Sequence, residues 1–193
     1  MKKLALLAAL VALASPALAH TGHGDANGFW HGLMHPVGGA DHLLAMLAVG
    51  IWSGFVMPQR LWLGALAFLS AMIAGAGLSW AGVGLPMVET GIVASVVVFG
   101  LIILLAKTGQ AGWISAASFA AIAFFAAFHG HAHATEATGA VALYLGGFLM
   151  STAALHLAGI ALARATARWQ AADVAQKVLG GAVAASGLYL MVG

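Results

Sequence analysis

Six apolar stretches, at roughly 29 to 55, 61 to 80, 87 to 106, 113 to 130, 137 to 164 and 174 to 193, occupy nearly all of the chain beyond its first 28 residues. Each is long enough, or nearly so, to cross a hydrocarbon layer of about 30 Å at about 1.5 Å of helix rise per residue. A lipid interior offers no water to backbone N–H and C=O groups, so segments of this length are expected to satisfy them internally as helices. Composition points the same way. With 63% apolar and 6% charged residues and a mean hydropathy of +1.02, the chain is unlike a soluble domain with a polar surface. The fold class expected is all-α: a polytopic membrane helix bundle with six transmembrane helices.

The start of the chain differs from these stretches. Met1-Lys2-Lys3, the short apolar run Leu4 to Leu13 and Ser15-Pro16-Ala17-Leu18-Ala19 supply a basic n-region, an h-region and an Ala-x-Ala site. They describe a cleaved secretory signal peptide over residues 1–19, because the apolar run is too short to span. Residues 20–193 would then form one six-helix domain. Loss of Lys2 and Lys3 leaves five basic against five acidic residues. The mature chain is formally neutral, which gives no reason to expect nucleic acid as a partner.

Loops are marked by Pro58-Gln59-Arg60, Gly82-Val83-Gly84-Leu85-Pro86, Lys107-Thr108-Gly109-Gln110, His133-Ala134-Thr135-Glu136 and the segment from Arg164 to Asp173. Arg60 falls in the first loop, Lys107 in the third, and Arg164, Arg168 and Lys177 in or beside the fifth, whereas the second and fourth carry no Lys or Arg. Under the positive-inside rule the odd loops are cytoplasmic, and both ends of the mature chain face outward. Helix packing is expected to use small residues, among them Gly50 and Gly54, Gly75 and Gly77, Gly146 and Gly147, and Gly180 and Gly181. Most of the Met and Trp residues read as core packing.

Against this background the segment from Trp30 to Met46 stands out. It places His31, His35, Asp41 and His42 inside an otherwise apolar span. Ionisable groups at membrane depth cost a few kcal/mol or more unless paired or wet, so they point to an ion pathway, a proton relay or a metal site. On a helical wheel His35 and His42 lie within about 60° of His31, with Met46 on the same side. Pro36 and Gly38-Gly39 weaken the helix between them, and broken helices in membranes occur where they line a cavity or a site. A second group, Phe128-His129-Gly130-His131-Ala132-His133-Ala134-Thr135-Glu136, closes the fourth span. If it is helical, His129 stacks on His133.

Cysteine is absent, which leaves His, carboxylate, Met, backbone or water as metal ligands. Imidazole with carboxylate suits nickel, cobalt, zinc and copper, whereas Mg and Ca prefer oxygen alone. Glu89, near the outer end of the third span, either adds a carboxylate or anchors that end among headgroups. His156, toward the cytoplasmic half of the fifth span, is either an exit ligand or a structural imidazole bonded to a neighbouring carbonyl. His20 and His23, in a polar tail, either gather cations loosely or belong to a plain flexible tail. No metal is expected to be permanently bound.

The paired motifs His35-Pro36-x-x-Gly39-x-Asp41-His42, with Met46, and Phe128-His129-Gly130-x-Ala132-His133-x-x-Glu136 resemble the two signatures of the HupE/UreJ family. The family comprises nickel or cobalt permeases, and the resemblance extends along the whole chain. One departure is Ala134, where the family often has Gly. The resemblance implies that His35, Asp41, His42, Glu89, His129 and Glu136 are functional, that transported Ni2+ or Co2+ is the ligand, and that hydrogenase or urease maturation is the downstream link. It also implies a multi-pass protein of the bacterial inner membrane whose partners are a divalent transition-metal ion and the lipid bilayer. Two rivals are a His-rich di-iron membrane enzyme, suggested by His31-x-x-x-His35, and a metal-delivery or sensing protein without flux. Against the enzyme, nearly all the His residues group toward the outside, whereas such enzymes carry theirs at the cytosolic face.

Overall fold

The computed structural model describes residues 28–137 and 140–192. The signal peptide expected at residues 1–19, and His20 and His23, lie outside the described residues. Seven helices follow one another: α1 (Gly28–Gly38), α2 (Ala40–Val56), α3 (Trp62–Trp80), α4 (Val88–Leu105), α5 (Gly112–Glu136), α6 (Val141–Thr166) and α7 (Ala172–Val192). Among the described residues there is no strand.

Helices α3 to α7 are each long and apolar enough to cross a membrane. The first apolar stretch is different, because it is divided into α1 and α2, which meet at a bend of 79° and qualify as a crossing only together. At about 16 Å, α1 alone is too short to span. Between them Gly39 is extended, at φ −103° and ψ 125°. Pro36 is accommodated inside α1 as a buried residue, so the break falls at the glycines rather than at the proline.

Two expectations need correction. Residues 133–136 are not a loop: α5 continues through them, since Ala132 and Ala134 favour helix and no Pro or Gly lies between Gly130 and Glu136. The tryptophans are also not mainly core. Trp52 is buried, but Trp30, Trp62, Trp80, Trp113 and Trp169 are exposed at or beside helix ends. Tryptophan favours that level of a bilayer, where its apolar body and polar N–H meet different surroundings.

Small residues bring the helices together at particular places. On α2, a Cβ at Gly50 would strike the backbone carbonyl of His156 on α6, and one at Gly54 would meet Ala163. Gly75 of α3 lies against the carbonyl of Ala127 on α5, and Gly130 of α5 lies against that of Met72 on α3. Gly100 and Gly180 join α4 to α7 in the same way. By contrast Gly77, Gly146 and Gly181 have nothing within reach of a Cβ, so only part of the expected glycine set packs helices. Gln176 of α7 donates to the carbonyls of Ile103 and Ala106 at 2.8 and 2.7 Å, which ties the last turn of α4.

Candidate metal site

The joint between α1 and α2 shapes the first part of the site. A Cβ on Gly39 would stand 2.8 Å from Oδ1 of Asp41 and 3.2 Å from Nδ1 of His42, so the absent side chain leaves room for this pair. Asp41 occupies the first turn of α2, where the helix dipole favours a carboxylate. Its Oδ1 accepts the backbone N–H of His42 at 2.8 Å and lies 2.7 Å from Nδ1 of the same residue. An ionised carboxylate can only accept, which puts the imidazole proton on Nδ1. Nε2 of His42 is left as a buried lone pair with no partner. Carboxylate behind, imidazole between and lone pair in front is the usual arrangement of a metal-binding histidine.

The final turns of α5 shape the second part. His129, His133 and Glu136 follow at intervals of four and three, which stacks them on one side of the helix. His129 is fully buried and directs Nδ1 to the carbonyl of Phe125 at 2.9 Å. Its Nε2 is unpartnered too, as are both nitrogens of His133. Oε2 of Glu136 is 3.5 Å from Nδ1 of His133, too long for a good hydrogen bond but within ion-pair range. The same oxygen is 3.1 Å from Nε2 of His35, at the end of α1.

These two parts meet. His35, His42 and His133 each offer one ligand atom, and the three atoms lie within 4.8 Å of one another. Nitrogens bound to one ion at about 2.1 Å stand roughly 3 to 4 Å apart, so a small contraction would bring all three onto a single ion. Ring centroids of His42 and His133 are 4.6 Å apart, and that of His129 is 5.1 Å from His42, one step further along the bundle. Tyr144 and Phe148 of α6 wall the cluster, with Phe148 at 4.0 Å from His133 and Tyr144 at 6.0 Å from His35.

Other expected site residues lie elsewhere. His31 is exposed on α1, a turn away from the cluster, and Glu89 is exposed in the first turn of α4. His156 is almost fully buried on α6, with Nδ1 2.7 Å from the carbonyl of Thr152 and Nε2 unpartnered. His131 is occupied by the segment before α4: its Nε2 lies 2.9 Å from the carbonyl of Val83 and 3.3 Å from the amide of Leu85. Sequence reasoning missed Tyr144, Phe148 and Thr152. The signal was present in the spacing of four that runs through Tyr144, Phe148, Thr152 and His156, all buried on one side of α6.

Apolar helices able to cross a bilayer, joined by a partly buried His cluster with carboxylates behind and beside it, define a multi-pass membrane protein with a metal-type donor set. A family model described as HupE / UreJ protein matches residues 8–190. The chain is also 38% identical over 201 residues to Protein HupE of Rhizobium leguminosarum bv. viciae, with the whole of both chains covered. The chain belongs to the HupE/UreJ family. No solved structure matches it.

Proposed function

We propose that the protein is a secondary permease that admits a divalent transition metal, Ni2+ first and Co2+ next, through the inner membrane of a bacterium. The observation that carries this reading is the convergence of His35, His42 and His133 from three helices on one point, with Glu136 at its edge. Imidazole nitrogens with a nearby carboxylate suit borderline cations. The shell is also incomplete, which favours an ion that must leave again.

The membrane potential is a sufficient driving force in principle. It is worth about 2.3 kcal/mol per charge per 100 mV, so a dication gains about 4.6 kcal/mol. The sequence contains no phosphate-binding Gly-x-x-x-x-Gly-Lys-Ser/Thr motif for direct use of a nucleotide. The positive-inside pattern supports an outer position for the His cluster, on the side where a periplasmic ion would arrive. The di-iron reading is weakened because its box needs His31 beside His35, and His31 is exposed outside the cluster. Delivery toward hydrogenase or urease maturation rests on family resemblance alone.

The test is uptake of labelled Ni2+ and Co2+ by liposomes carrying the protein and an inside-negative potential. Uptake that is saturable and lost in Asp41→Ala supports the permease. Tight metal binding without flux would identify a metal-holding protein instead.

A further inference from the structure

The side of α6 that walls the His cluster continues inward as a polar line. From Tyr144 and Phe148 it passes to Thr152 and His156, each one helical turn beyond the last. His156 lies about 22 Å from the first residue of α6 along the helix, whereas His129 lies only about 10 Å from the last residue of α5. The ring of Phe68 bridges these depths, with its centroid 5.3 Å from that of His129 and 5.1 Å from that of His156. The width of one aromatic ring therefore separates the deepest imidazole of the described cluster from the next one.

His156 is prepared in the same manner as His129. Each turns Nδ1 to the carbonyl four residues earlier on its own helix, which fixes the proton on Nδ1 and leaves Nε2 as a lone pair away from the helix backbone. Both Nε2 atoms are buried without a partner, and the hydroxyl of Thr152 is fully buried without one as well. Buried polar groups left bare cost stability unless something visits them. A structural role for His156 is met by Nδ1 alone and does not account for the other two atoms.

We infer that His156 Nε2 and Thr152 Oγ1 form a second, inner station for the same divalent transition metal, which receives the ion from His129 on its way across the bundle. This rests on the permease reading and adds a step to it. One imidazole and one hydroxyl make a poor cage, so the station holds the ion briefly, with water or backbone oxygen completing its coordination. Two weak stations in series let an ion enter at the first and leave from the second.

The test uses full-length protein, Ni2+ as the probe, and the variants His156→Asn and Thr152→Val. An Asn amide can still donate to the Thr152 carbonyl but offers no nitrogen lone pair, and Val keeps the shape of Thr without its hydroxyl. Equilibrium dialysis in detergent should show Ni2+ binding at the His35, His42 and His133 site within twofold of the unmodified protein for both variants. Ni2+ flux into liposomes should fall at least tenfold in His156→Asn and severalfold in Thr152→Val, with half-saturation little changed. Unaltered flux in His156→Asn overturns the inner station. If that variant fails to fold, Thr152→Val decides: unaltered flux overturns the proposal and reduced flux upholds it. Failure of the permease reading shows up separately, as unmodified protein that binds Ni2+ but passes none.

Discussion

Glu136, the last residue of α5, reaches His35, near the end of α1, with 3.1 Å between carboxylate oxygen and imidazole nitrogen. This contact links the two sequence motifs across about a hundred residues of chain and closes one side of the His cluster. Glu136→Gln keeps the shape but removes the charge that a dication would meet there. Ni2+ affinity, measured by equilibrium dialysis, should fall by about ten- to a hundredfold, the range found for groups that support metal ligands. Unchanged affinity would leave Glu136 with a packing role only.

Asp41 holds the Nδ1 proton of His42 and thereby fixes which nitrogen faces the cluster. In Asp41→Asn the amide oxygen can still accept, but the negative charge that makes the imidazole a better donor is gone. Affinity should again drop by about ten- to a hundredfold while the helix content measured by circular dichroism is retained.

Protons compete with the ion, because metal binds neutral imidazole. Ni2+ affinity should therefore weaken on acidification, once protons reach the imidazoles of the cluster. The slope of affinity against pH reports how many protons leave the protein for each ion bound. Affinity that stays level down to the pH at which the protein unfolds would remove histidine as a principal ligand.

His31 and His35 sit one turn apart on α1, yet only His35 belongs to the cluster. His31→Ala should transport within twofold of the unmodified protein, whereas His35→Ala should lose most uptake. Equal losses in the two variants would contradict this placement of the site.

Gly130 packs directly on the backbone of Met72, while Gly77 faces open space. Gly130→Ala should therefore lower stability by about 1 to 3 kcal/mol, as overpacking does, whereas Gly77→Ala should change it little. Denaturant unfolding in mild detergent measures both.

The all-helical class, the membrane-length apolar helices and the weak point in the first stretch were legible in the sequence, since length, hydropathy and Gly38-Gly39 are local properties. The relation of His35 to His42 was legible for a different reason from the one that holds. A wheel puts them on one side of a single helix, but they meet across the bend, with ring centroids 5.9 Å apart. Residues 133–136 read as a loop because His133, Thr135 and Glu136 look polar in isolation. Ala132 and Ala134 carry the helix through them, and what the local pattern does not record is that Glu136 then reaches His35. Thr152 was missed because its one signal is its spacing from Tyr144, Phe148 and His156, which gains meaning only when that side of α6 is known to be buried.

The glycine contacts have a mechanical consequence. Gly75 and Gly130 bring α3 tightly against α5, and Gly50 and Gly54 bring α2 against α6, so each couple would respond to a displacement as one stiff rib. His42 rides on one rib and His133 on the other, with ring centroids only 4.6 Å apart across the seam. A slide of an ångström or so between ribs tightens or loosens that gap without unwinding a turn of helix, which is shear rather than hinge motion. Close packing resists gradual deformation, so such a seam favours two distinct settings over a continuum.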